Sequence, residues 1–197
     1  MSCRTGMYSI SSIEPIQESI ASRDSALAES LVSLYQTQQR EYYDGEDPEE
    51  EEVEEFREYV DGMIMCESAP PREPGCWNYV IKLLAAHFNL SPTELPLEDW
   101  KHNYVWDDYK SQIDGQLDPQ SGSLIDYLND GRPLKGNSID HDGCVFAWLT
   151  CEETKHLRDT LSKIDLPESE LTEFHEQLVD SLNESIETNA ILILASH

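Results

Sequence analysis

The residues whose types best suit chemistry lie between 140 and 156. His141, Asp142, Cys144, Cys151 and His156 are all of metal-ligating type. Their spacing fits none of the usual zinc patterns, and Cys144 and Cys151 fall on either side of a strand-to-helix boundary, so Cys144 reads as a small buried apolar group. Asp140-His141-Asp142-Gly143 opens like a calcium loop, but counting from Asp140 the twelfth position, which needs a bidentate acid, is Cys151. No metal and no cofactor is expected. Cys76 lies near the start of a helical pattern, where the dipole favours thiolates, with His87, His102 and His175 as candidate bases. The plainer reading is a partly buried thiol beside Trp77. The chain has no G-x-S-x-G elbow and no glycine-rich phosphate loop. A small enzyme with a Cys/His or metal site in 91–151 is therefore the alternative reading, and a non-catalytic protein the favoured one.

Charge supplies the second line of argument. Against 13 Lys and Arg stand 40 Asp and Glu, a net charge of −27. Such a surface repels nucleic acid and anionic membrane and attracts basic partners, although the same composition also serves solubility alone. Glu49, Glu50, Glu51, Glu52, Glu54, Glu55 and Glu58 are clustered rather than spread. A second cluster, Trp100, Tyr104, Trp106 and Tyr109, holds the aromatic types that anchor interfaces, or that pin a long loop onto a core, which is the reading favoured. The expected function is that of an acidic binding protein occupying a basic partner surface. An immunity-type or regulatory inhibitor fits this, one form of which is a nucleic-acid mimic. The expected partner is a basic protein, with no direct nucleic-acid binding and no membrane. The candidate partner-binding residues are the seven glutamates with Trp100, Tyr104 and Trp106.

The elements that must position these residues follow from periodicity. Trp77, Val80, Ile81, Leu84 and Phe88 fall on one helical face, giving a core helix worth about 10 kcal/mol at roughly 1.5–3 kcal/mol per large buried side chain. Met7–Ile10 reads as a strand, followed by a Ser11-to-Glu14 capping box and a short helix through Ile13, Ile16 and Ile20. A second helix starts at Asp24 with Leu27, Leu31, Leu34 and Tyr35 on one face and fades through Gln36–Gln39. In the acidic run Asp47 can cap, Pro48 suits the first helical turn, and Val53, Phe56, Val60 and Ile64 recur on one face, predicting a helix over about 47–65. Residues 68–75 read as a Pro-rich linker. Ser91-Pro92, Pro96, Asp114-Gly115 and Asp118-Pro119 punctuate 91–140 so densely that it reads as a loop-rich insertion, with one short helix around Leu124–Leu128. Asp142–Leu149 is a predicted strand, and Thr150 to Glu153 a capping box opening a helix on Leu157, Leu161 and Ile164. A helix over Ser169–Thr188 carries Leu171, Phe174, Leu178, Leu182 and Ile186, and Ile191–Ala195 is a strand buried on both sides.

These elements predict an α+β fold, a small mostly antiparallel sheet covered by several helices in a single domain, 1–197. The N-terminal strand and helix, Trp77 at the head of the central helix, Asp142-Gly143 before Ala147-Trp148-Leu149-Thr150 with Glu152-Glu153, and the final helix and strand together resemble the YfbM-like family of small bacterial proteins. The resemblance implies an α+β fold and supplies no catalytic residue; the acidic helix and 91–140 depart from it. The first residues hold no signal-peptide core, and five cysteines without a C-x-x-C pair suit reduced thiols, so the expected location is cytoplasmic.

Overall fold

Apolar residues alternate in their destination along the last strand, and that alternation divides the molecule. The computed structural model describes residues 4–65, 74–135, 140–141, 144–166 and 170–196. Its strands are β1 (Arg4–Ile10), β2 (Thr93–Lys101), β3 (Asp140–His141), β4 (Cys144–Leu149) and β5 (Ile191–Ser196), in the sheet order β2-β1-β5-β4-β3 with every neighbour antiparallel. Strand β5 pairs β1 from Thr5↔Ser196 to Ile10↔Ile191 and β4 from Phe146↔Ala195 to Leu149↔Leu192. Successive side chains of a strand point to opposite faces. Ile193 and Ala195 accordingly enter one core with Tyr8, Ile10 and Phe146, while Leu192 and Leu194 enter a second with Met7, Val145, Ala147 and Leu149. The unbroken apolar run at 191–195 is thus a central strand buried on both sides, as its composition requires.

Helices cover both faces. On the first lie α1 (Glu14–Ser19), α2 (Ser25–Tyr42), α3 (Glu50–Ile64) and α4 (Pro74–His87), and on the second α5 (His102–Ile113), α6 (Pro119–Asp130), α7 (Cys151–Leu161) and α8 (Glu170–Glu187). The single α+β domain expected from the sequence is therefore present as three layers. Trp77, Val80, Ile81 and Leu84 of α4 are buried against the first face. Phe88 is not part of that stripe: α4 stops at His87, Asn89 turns left-handed at φ 54°, and the Phe88 ring is exposed. Among the described residues no helix is long and apolar enough to cross a membrane.

The largest departure from expectation is at 91–140. That stretch is not a loop-rich insertion; it contains β2, α5, a 3-10 turn at Asp114–Gln116 and α6. The punctuating residues are element ends. Asp118 caps α6, its carboxylate accepting from the amides of Gln120 and Ser121, and Pro119 fills the first turn. Pro96 sits in β2, an edge strand, where a missing N–H is tolerated. Two further boundaries shift. The Ser11-to-Glu14 box is absent, since α1 begins after Ile13 and Ser12 instead hydrogen-bonds the Glu14 side chain and amide. Helix α2 runs through the polar glutamines to Tyr42. The proposed linker at 68–75 lies largely outside the described residues, apart from the start of α4 at Pro74.

One arginine joins three elements, α6, β4 and α7. The guanidinium of Arg132 lies 3.8 Å from the Trp148 ring centre and 4.7 Å from that of Tyr127. It donates to both carboxylate oxygens of Glu153, at 2.7 and 3.0 Å, and to the Trp148 carbonyl at 3.0 Å. Glu153 is also the acid of the Thr150 capping box, so the same carboxylate closes the start of α7. Burial pushes the Glu153 carboxyl up, but Arg132 and the Thr150 amide and hydroxyl together hold it below the usual value.

Candidate functional site

The acidic residues are fixed on a helix. Helix α3 runs over Glu50–Ile64, shorter than the expected 47–65, with Glu49 at its cap position and the Glu52 carboxylate accepting from the Glu49 amide at 3.2 Å. Asp47 does not cap it; that carboxylate pairs with Arg40 of α2. Phe56, Val60, Met63 and Ile64 bury one side, the Phe56 ring stacking on Tyr35 at 4.1 Å. Beyond the helix end, the amides of Ala21 and Arg23 donate to the Met63 and Ile64 carbonyls at 2.9 Å, satisfying groups that a helix end leaves open. All seven glutamates, Glu49, Glu50, Glu51, Glu52, Glu54, Glu55 and Glu58, are exposed. The helical period sets Glu51, Glu54, Glu55 and Glu58 opposite Phe56 and Val60. Arg57, paired with Glu29 of α2 and with Glu54, neutralises only the border. The field reaches the neighbouring helix: the Tyr35 phenol is raised first by burial and then by the charge of Glu52. At the end of α2, before the chain enters α3, Tyr42 is 79 % and Tyr43 47 % exposed, their rings edge-to-face at 5.1 Å.

The other aromatic cluster has a different place. Trp106 is fully buried in α5, and so is Tyr109, which makes Trp106 a core residue rather than a binding anchor. Both rings meet Phe174 of α8 edge-on, at 5.0 and 4.9 Å. Trp100 on β2 is half-buried against the same phenylalanine at 5.5 Å, and its indole N–H donates to Gln177 at 2.6 Å. The side chain of Tyr104 lies outside the described residues.

Tyr109 also contacts a histidine. Its hydroxyl lies 2.6 Å from Nδ1 of the half-buried His175. Burial holds the imidazole below its ordinary 6.5, with Glu176 opposing. The unfolded chain therefore takes up this proton first as pH falls. The stability His175 contributes is complete above about pH 6.5 and is lost as pH drops through the folded value. Relief of acidic repulsion acts in the opposite direction, so the effect is read as a difference. Thermal melts of the wild type and His175→Gln from pH 7.5 to 5 should show the wild type losing more stability, and parallel curves would refute it.

Among the residues expected to carry chemistry, Cys151 is half-buried in the first turn of α7, and His141, Asp142, Cys144, Cys76 and His102 have side chains outside the described residues. Among the described residues no group of three His, Cys, Asp or Glu is placed to hold a metal. Ser121, Asp118 and His156 do meet, with a different logic from that of a nucleophile. The Ser121 hydroxyl donates to Asp118 at 2.7 Å and His156 Nε2 lies 3.2 Å from the same carboxylate, so serine and histidine share an acid instead of a proton. Asp118 is held well below the usual carboxylate range by the Ser121 hydroxyl first, then by the Ser121 amide. The cluster closes the start of α6 and ties it to α7 through Thr160.

Periodicity gave no sign of one further feature. A cleft of about 490 Å³ opens between α4 and the β1–β2 pair, walled by Gly6, Tyr8, Lys82, Leu83, Glu94 and Leu95 among others. It lies where β2 carries extra residues relative to β1, with register shifts on both sides of Gly6. The only trace of it in the sequence is Lys82, the one charge within the apolar run Val80–Ala86. Comparison with family models, curated proteins and solved structures gives no match to this chain.

Proposed function

We propose that the protein is a non-catalytic acidic binding protein whose α3 ridge, with Tyr42 and Tyr43 at the end of α2, occupies a basic surface of a protein partner. The observation that carries this reading is seven exposed glutamates, from the cap residue Glu49 to Glu58, fixed by a helix anchored through Phe56 and Val60, with two tyrosines exposed to 79 % and 47 % at the end of the preceding helix. A fixed ridge concentrates a field that a mobile tail of equal charge would average out, and it steers encounter with a cationic surface. Tyrosine supplies rigid amphipathic contact area and a ring face for Lys or Arg, so the pair would hold what the glutamates attract. An immunity-type or regulatory inhibitor works in this way, including one that presents carboxylates where a nucleic acid would present phosphates. A cytoplasmic location and membership of the YfbM-like family belong to the same proposal, the latter resting on the motifs around Trp77 and Gly143–Glu153.

The test separates steering from anchoring. With the partner captured by pull-down, association is measured across a salt series for the wild type and for Glu51→Gln/Glu54→Gln/Glu55→Gln/Glu58→Gln. The variant should associate more slowly with a flatter salt dependence, because exposed charges act over a Debye length of about 8–10 Å. It should stay folded, since the removed carboxylates mainly repel one another at i,i+3 and i,i+4. Tyr42→Ala/Tyr43→Ala should instead speed dissociation. An unchanged on-rate and salt slope in the glutamine variant would leave the ridge as a solubility feature.

A further inference from the structure

The cleft between α4 and the β1–β2 pair holds an unsatisfied group. The Tyr8 side chain is 93 % buried in its wall, and its hydroxyl has no hydrogen-bond partner among the described residues. A buried hydroxyl without a partner is costly, and native structures seldom keep one without a use for it. Burial keeps this phenol protonated, since it raises the group far above its usual value, so the hydroxyl is available as a donor. Lys82 lines the same cleft, with Nζ 6.0 Å from the Tyr8 ring centre. It makes no ion pair with a described carboxylate. Glu94 stands directly opposite Tyr8 in the β1–β2 register and, among the described residues, is likewise unpaired. Of the other polar wall residues, Tyr79 donates to Gln38 at 3.2 Å. Leu83 and Ala86 supply apolar wall, and at Gly6 a Cβ would meet nothing within 4 Å, so the backbone there borders open space.

We propose that this cleft binds a small zwitterion with an apolar body, of the α-amino-acid class: Lys82 and the Tyr8 hydroxyl take its carboxylate, Glu94 takes its ammonium, and the space between Gly6, Leu83 and Ala86 takes its side chain. A plain carboxylate would satisfy Lys82 and face the Glu94 charge, and a plain amine the reverse. Only a ligand carrying both signs uses both groups, and the volume is within the roughly 300–1,000 Å³ of small-molecule sites.

Titrations of the full chain with L-phenylalanine and L-leucine, followed by NMR shifts of the β1 and α4 amides, test this. 3-Phenylpropionate and phenethylamine serve as single-charge probes. The amino acids should bind at millimolar concentration or below, and each single-charge probe should bind about tenfold more weakly or worse. Lys82→Gln and Glu94→Gln should each weaken amino-acid binding by a similar factor, and Gly6→Val, which fills open space, should abolish it. Tyr8→Phe is the variant a purely structural role would not mimic: it should weaken binding while melting no lower than the wild type, because the hydroxyl it removes has no partner to lose. Absence of binding to the wild type, equal affinity for a single-charge probe, or a Tyr8→Phe variant that binds normally would each overturn the proposal.

Discussion

Deletion of residues 191–197 is expected to abolish cooperative unfolding altogether. Leu192, Ile193 and Leu194 are fully buried, on opposite faces of the sheet, so their loss removes about 5–9 kcal/mol of apolar burial at roughly 1.5–3 kcal/mol each. That is of the order of a domain's entire net stability, about 5–15 kcal/mol. The deletion also leaves β1 and β4 with unpaired edges facing one another across the gap, since both draw one ladder from β5. The truncated chain should give a broad, non-sigmoidal melt by circular dichroism and aggregate through those edges. A sigmoidal melt at the wild-type temperature would refute the central placement of β5.

Trp106→Ala should cost about 3–5 kcal/mol, the range for truncating a large buried aromatic. Its ring is fully buried and meets Phe174 and Tyr109 edge-on, so the vacancy would open in the contact between α5 and α8. Urea unfolding measures the loss, and the native population that remains should still bind a partner with undiminished affinity. A variant of wild-type stability that loses the partner would return Trp106 to the binding surface. Trp100, only half-buried, should cost less when truncated.

These two regions mark where the sequence was readable and where it was not. The run at 191–195 has one physical interpretation, a strand with no wet side, and the two cores on either side of β5 match it. The start of α2 at about Asp24, the Thr150–Glu153 box, the α3 stripe and the exposure of its glutamates were equally legible, because each is a local relation along one helix. Between 91 and 140 the local signals were present and pointed the wrong way. Strand β2 passes into α5 at Lys101–His102 without an intervening loop, so the period of Val105, Trp106, Tyr109 and Ile113 had no start signal in front of it. Asp118-Pro119, which resembles a turn in isolation, is a cap and a first helical residue. The cleft is harder still, since Tyr8, Lys82 and Glu94 lie on three separate elements and only the irregular β1–β2 register brings them to one cavity.

The position of β5 also bears on how the molecule comes together in time. Its partner β1 lies at the other end of the sequence, with Thr5 set against Ser196. Pairs so distant raise the contact order, and two-state chains of high contact order close slowly, because the entropy of the intervening loop is lost before the ladder rewards it. The helices on each face depend on nearer contacts and can condense earlier. The rate-limiting event would then be insertion of one six-residue strand between two half-assembled layers, with solvent leaving both cores in the same step. Conservative substitutions at Ile193 or Leu194 should consequently slow refolding about as much as they destabilise, whereas those on the outer faces of α2 or α7 should show only in unfolding.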